Sequence, residues 1–216
     1  RDSPYAWSIT QPLGSRYDVP MDTLMHNFYS TDIPSSYSTA YGTTGNLGAA
    51  AFSKIFFDRP LPSEFIFKDP FGHWIQTASS WIFYNSHIPY TQLSYLTGGS
   101  KQTAQDDLKA VFSGNFNQKL EFGGSINYIL SRGHYQHQAT KDLAYSIFGS
   151  YLGDRYDIQF FLNTYNFVNQ ENGGISDDTY ILRPEEVQGG QSSVNTQTIP
   201  TNLTDAYNRI RGKEYY

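Results

Sequence analysis

Leu120-Glu121-Phe122-Gly123-Gly124-Ser125-Ile126-Asn127-Tyr128-Ile129-Leu130 decides the fold. Leu120, Phe122, Ile126, Tyr128 and Leu130 share one face with Gly124; Glu121, Gly123, Ser125, Asn127 and Ile129 take the other. A period of two is that of a β-strand, so this spacing predicts a strand with one apolar and one polar face. The neighbouring stretches repeat the pattern: Leu108, Ala110, Phe112, Gly114 and Phe116 before it, then Leu143, Tyr145, Ile147, Gly149 and Tyr151, then Tyr156, Ile158, Phe160 and Leu162. With a weaker strand over 90–97, this gives about five strands in a meander.

The connections alternate in length. Residues 117–119 and 152–155 read as tight turns, whereas 98–105, 133–142 and 167 to about 201 read as long polar loops. Short turns on one side and long loops on the other are the asymmetry of an outer-membrane barrel. Strand length agrees: the stretch 120–130 at ~3.3 Å per residue and a tilt of ~45° rises ~26 Å, against an apolar band of ~25 Å. Phe116, Tyr151 and Tyr156 fall at short-turn ends and Tyr135 and Tyr165 toward the long loops, where interfacial girdles are expected. The expected fold class is therefore all-β, an antiparallel up-and-down transmembrane β-barrel of which this chain holds only the N-terminal strands. Five or so strands fall short of the ~8 that close the smallest natural barrels, so the chain is expected to be part of a longer polypeptide.

Composition is consistent with this reading. The 216 residues include 18 Tyr, 15 Phe and 3 Trp, no Cys and only 16% charged residues, with a formal net charge of −5. That excludes a disulfide scaffold and a cysteine-ligated metal, gives no electrostatic footprint for nucleic acid, and is the reverse of a disordered composition. No apolar run approaches the ~18 residues of a spanning helix. A mean hydropathy of −0.52 is compatible with spanning strands, which need only one apolar face. The opening Arg1-Asp2-Ser3, with no initiator Met or leader, is expected of a processed or internal start.

Seven of the ten prolines (Pro4, Pro12, Pro20, Pro34, Pro60, Pro62 and Pro70) lie before residue 80. They break elements early, so only short strands such as 5–9 are expected there, with a weak helical period over 46–55. The expected organisation is an irregular segment 1–80, periplasmic or plugging the lumen, followed by the first barrel strands with long external loops over 81–216. Residues 188–193 read as a low-complexity loop tip.

Several segments together resemble the β-barrel porin family of the Bacteroidetes outer membrane. They are Val19-Pro20-Met21-Asp22-Thr23 with His26-Asn27-Phe28; Gly45-Asn46-Leu47-Gly48 and Ser53-Lys54-Ile55-Phe56-Phe57-Asp58-Arg59-Pro60; Ser131-Arg132-Gly133; Gly149-Ser150-Tyr151 with Asp154-Arg155-Tyr156; Glu171-Asn172-Gly173-Gly174-Ile175; and Asn208-Arg209-Ile210-Arg211-Gly212-Lys213. The resemblance implies an outer-membrane barrel in a Gram-negative cell and brings no catalytic motif. The family's chains are considerably longer, and this one stops at Glu214-Tyr215-Tyr216 as another strand begins.

On the polar faces, Glu121, Asn127, Asp157, Gln159 and Asn163 are expected to face the lumen and set the polarity of a water-filled path. Asn169, Glu171, Asn172, Asp177 and Asp178 offer hard oxygen ligands around Gly173-Gly174, a candidate Ca²⁺ site, although the spacing fits no EF-hand loop. His134 and His137 form H-x-x-H without an evident third ligand. No G-x-S-x-G elbow, G-x-G-x-x-G or P-loop pattern occurs, so neither an enzyme nor a cofactor is expected.

The expected partners are outer-membrane lipid, the remainder of the same barrel, and an outer-membrane protein partner if the barrel serves assembly. The leading reading is a passive pore for small solutes. The alternatives are a structural or assembly component, and a secreted β-sandwich that binds glycans on Trp7, Trp74 and Trp81.

Overall fold

The computed structural model describes residues 4–21, 40–187, 189 and 194–216. Arg1-Asp2-Ser3, Asp22-Thr23, His26-Asn27-Phe28, Pro34 and most of the tip at 188–193 lie outside the described residues.

Before residue 86 the strands are short, as the prolines require: β1 Tyr5–Thr10, β2 Ser15–Val19, β3 Tyr41–Thr43, β4 Ala51–Ser53 and β5 Phe83–Asn85. β1 lies between β2 and β5, and β3 pairs with β4. The region expected to carry a helical period ends in β4 instead. There Ala51 and Ser53 are buried while Phe52 faces out, an alternation of period two.

The remaining strands form one antiparallel meander in the order β11-β10-β9-β8-β7-β6. They are β6 Tyr90–Gly98, β7 Gln105–Asn115, β8 Leu120–Arg132, β9 Ala139–Leu152, β10 Asp157–Gln170 and β11 Tyr207–Tyr215. The sheet is open, with no closure of β6 on β11 among the described residues. It has six strands where about five were expected. Residues 207–215 form a strand paired along its length with β10, so the chain's last residues continue a strand already under way. Arg209, Arg211, Gly212 and Lys213 break the apolar alternation there, and only backbone pairing reveals the strand. β9 and β10 also run deeper into the expected loops, leaving 133–138 and 171–206 as connections. The second of these carries two one-turn helices, α1 Thr179–Leu182 and α2 Pro184–Val187, which the sequence did not signal.

Burial separates the two faces of the sheet, and the separation is inverted relative to a protein that folds in water. The apolar side chains Leu93, Phe112, Phe122, Ile126, Tyr145, Ile147, Ile158 and Phe160 are exposed, between 39% and 70%. On the opposite face Ser113, Glu121, Ser131, Thr140, Asp142, Ser146, Ser150, Asn163 and Asn169 are buried beneath the N-terminal segment. Two apolar clusters interrupt that polar face. Phe148 and Phe161 pack with Trp7, Trp81 and Phe83, and Ile129, Ala144, Tyr165, Phe167 and Ile210 pack with Phe71 and Trp74. Tyr165, expected at the outer girdle, is instead part of this inner core; Tyr135 lines an internal cavity. The odd-numbered residues of β10 point inward, which settles Tyr165 by strand parity.

Glycine is placed opposite aromatic rings. Gly123 pairs with Phe148, Gly149 with Phe160 and Gly212 with Tyr165, and in each case the ring lies over the site a Cβ would occupy. Such pairs let an aromatic cover the backbone of its neighbour and fix the register.

The two short turns are staggered. Asn115 pairs with Glu121 next to the first, whereas Leu152 donates its N–H to Lys119 O, beyond the start of β8, before reaching the second. Strands that slip past one another in this way are tilted, as closure into a barrel demands. Lys119 Nζ and Asp154 Oδ2 tie the turns together at 2.8 Å, and that hydrogen bond holds the Lys119 ammonium above its usual pKa.

Gly123→Val should lower stability by about 1–3 kcal/mol, because its branched side chain meets both the Phe112 carbonyl and the Phe148 ring. Denaturant titration in detergent micelles, followed by tryptophan emission, measures this; an unchanged midpoint would contradict the packing described.

Candidate pore-lining face

The inner face is built in rows, because paired residues of an antiparallel sheet point the same way. Nearest the short turns lies Asn115–Glu121–Ser150–Gln159, and further along Val111–Ser125–Ser146–Asn163–Glu214. Toward the long loops lies Gln105–Ser131–Thr140–Asn169–Asn208.

Each polar row meets a specific residue of the N-terminal segment. Glu121, only 1% exposed, accepts hydrogen bonds from Tyr84 N at 2.8 Å, Ser113 Oγ at 2.9 Å and Ser150 Oγ at 3.0 Å. A carboxylate this deep requires that many donors, since burying one without them is very costly. In the next row Asn163 Nδ2 donates to Gln76 O at 2.8 Å, and Ser146 Oγ donates to Asn163 Oδ1 at 3.1 Å. Gln76 Oε1 also lies 3.3 Å from Ser146 Oγ and 3.4 Å from Ser125 Oγ. In the last row Asn46 Nδ2 donates to Ser131 O at 2.9 Å, and the Thr140 hydroxyl sits 2.8 Å from Asn169 Oδ1 and 3.2 Å from Asn46 Oδ1. Gly48, at φ +84°, brings its loop so close to the sheet that a Cβ would collide with Thr140 and Asp142. Only glycine adopts that backbone freely.

All five residues expected to face the lumen lie on this inner face, in different settings. Glu121 and Asn163 are buried hubs. Asn127 lines a small cavity of about 170 Å³ with Gln76, Gln92, Ser94 and Lys109. Asp157 is exposed at the short-turn end, 3.7 Å from Arg16 Nη1, and Gln159 is half-buried beside it. A larger cavity of about 700 Å³ opens near the long loops, lined by Asn46, Leu96, Asp107, His134, Tyr135 and Gln138. Asp107 is 2% exposed there, with Lys109 Nζ 2.9 Å from Oδ2 but poorly aligned for a hydrogen bond.

The candidate Ca²⁺ ligands are engaged separately. Asn169 points inward to Thr140; Glu171 and Asp178 are exposed. Asn172 Nδ2 donates to Gln136 O. Asp177 Oδ1 accepts from Thr179 N at 2.8 Å, and hydrogen bonding from the Thr179 side chain, together with that backbone N–H, keeps the Asp177 carboxyl below the usual range. Among the described residues no three His, Asp or Glu side chains gather closely enough for a metal ion. His134 and His137 belong to a loop that Gln197 fastens through the carbonyls of Gly133 and His134. Trp7, Trp74 and Trp81 are all buried, so none offers a platform for a sugar ring.

Gln76, Tyr84 and Asn46 escaped the sequence reading. The first two lie in stretches without periodicity, and their partners are 37 to 87 residues away. Asn46 alone carried a signal, as part of the Gly45-Asn46-Leu47-Gly48 segment.

No curated protein and no solved structure matches the chain. A family model described as "Putative porin" matches residues 3–216. With a single match spanning both the N-terminal segment and the meander, and with a sheet that is apolar outside and polar inside, the chain belongs to that porin family.

Proposed function

We propose that this chain forms part of the wall of a β-barrel in a Gram-negative outer membrane, and that the barrel gives small solutes a passive aqueous path. The observation that carries the reading is the inverted sheet, whose exposed apolar face extends across β6 to β10 while buried polar side chains line the other. A soluble monomer rarely leaves so large an apolar patch bare, whereas the hydrocarbon core of a bilayer is its natural solvent. The rest of the barrel completes the ring, because an open strand edge in lipid would leave unpaired backbone groups at several kcal/mol each.

Residues 1–80 act as a plug on the inner face. The hydrogen bonds of Gln76 and Asn46 to three strands support this, together with that of the adjoining Tyr84 and the apolar seat of Trp7 and Trp81 on Phe148. The cavity of about 700 Å³ beside this segment supplies room for water near the long loops.

Membrane fractionation should recover the protein only with detergent; recovery in the aqueous supernatant would remove the barrel reading. In planar bilayers the protein should conduct, and Gln76→Ala, which removes the Oε1 contacts with Ser125 and Ser146, combined with Asn46→Ala should raise conductance or lengthen open dwell times by loosening the plug. No conductance in either form would overturn the pore. Glu121→Ala, which strands Tyr84 N, should cost about 2–4 kcal/mol in detergent unfolding.

A further inference from the structure

The outward face of the sheet is apolar except along its long-loop edge, where Asp106 lies on β7, Arg132 at the end of β8 donates to Lys101 O, and further cations gather at one corner, on β9 to β11. The row at the long-loop end reads Thr97–Asp106–Leu130–Lys141–Val168–Arg209, the next ends in Leu143–Asn166–Arg211, and the third in Tyr145–Thr164–Lys213. Lys141, Arg209, Arg211 and Lys213 are all exposed there. Asn166 Oδ1 accepts from Arg209 Nε at 3.0 Å and from Arg211 Nε at 3.2 Å, which holds the two guanidinium groups side by side against their mutual repulsion. Among the described residues no acidic side chain shares the outward face of β9 to β11; Asp106, the nearest along the row, is two strands from Lys141 and accepts from Tyr95 OH.

Four cations, with no anion on the same face of β9 to β11 among the described residues, are incompatible with hydrocarbon and well suited to an anionic headgroup. Strand spacing of about 4.8 Å and an i,i+2 repeat of about 6.8 Å spread the charges over about 10 Å by 14 Å, wider than one phosphate. We propose that this corner binds a membrane lipid headgroup bearing at least two phosphates, in the leaflet on the long-loop side. Arg209 and Arg211 present paired N–H donors to one phosphate, with Lys213 beside them on β11, and Lys141, two strands away, meets the other. The proposal rests on the membrane-wall reading, since only there does the apolar band below the corner hold the acyl chains.

The test uses the purified protein in maltoside micelles doped with diphosphoryl lipid A, with the same lipid freed of both phosphates, or with inorganic phosphate alone, and binding read by native mass spectrometry. The diphosphoryl lipid should be retained selectively. Arg209→Gln, Arg211→Gln and Lys213→Gln together should weaken it about tenfold or more. Lys141→Gln, on a different strand and without bearing on the fold of β11, should weaken it about threefold to fivefold. Equal retention of the phosphate-free lipid, or no effect of either variant, would overturn the site. Full competition by inorganic phosphate at equal concentration would overturn the lipid as its occupant. If the protein instead stays in aqueous solution without detergent, it is the membrane-wall reading that fails.

Discussion

An apolar sheet face that none of the described residues covers is the constraint from which the rest of this structure follows. Phe112, Phe122, Ile147 and Ile158 lie on four neighbouring strands and are all exposed. In water such a face would recruit a second layer, and β1 to β5 were available to provide one. They cover the polar face instead. That choice is favourable only if the apolar face already has a solvent, and a bilayer is the solvent that suits side chains of this kind.

With the outward face given to lipid, as proposed, the inner face inherits a difficulty of its own. Glu121, Asn163 and Thr140 are buried and polar, and each needs partners the strands alone do not provide. The proline-rich N-terminal segment meets this need because it is irregular. A long helix or a central strand spends its backbone groups internally, whereas Tyr84 N, on the three-residue edge strand β5, and Gln76 O, in an irregular stretch, serve Glu121 and Asn163. The prolines that prevented long elements in this region thereby left backbone donors and acceptors for the wall.

This explains what could be read from the sequence and what could not. The parity of residues 120–130 assigned every inward and outward residue of β8 because alternation is local. The same parity placed all five expected lumen residues on the inner face. It did not separate the buried hubs Glu121 and Asn163 from the exposed Asp157, since that difference depends on where a segment far along the chain comes to rest. Tyr165 was misplaced by counting its distance from the loop and ignoring its parity, and β11 was missed because its outward side chains are the cations of the rim. The glycine positions were legible as alternation but not as partners: the pairing of Gly123 with Phe148 needs the register between strands.

The banding of the inner face constrains how the N-terminal segment can move. Passing from the short turns to the long loops, the rows run polar at Glu121 and Ser150, apolar at Phe148 and Phe161, polar at Ser146 and Asn163, apolar at Ala144 and Tyr165, mixed at Asp142 and Phe167, and polar again at Thr140 and Asn169. The segment matches this sequence with Tyr84 N, then Trp81 and Phe83, then Gln76, then Phe71 and Trp74, then Asn46. A slide by one row would press Trp81 onto Ser146 and Asn163 and leave Gln76 facing Tyr165. Several buried polar groups would lose their partners together, each at about 1–3 kcal/mol. Translation along the wall is therefore strongly opposed. In the proposed pore, any widening of a path falls to the region around Asn46, Gln138 and Tyr135, where a cavity already exists.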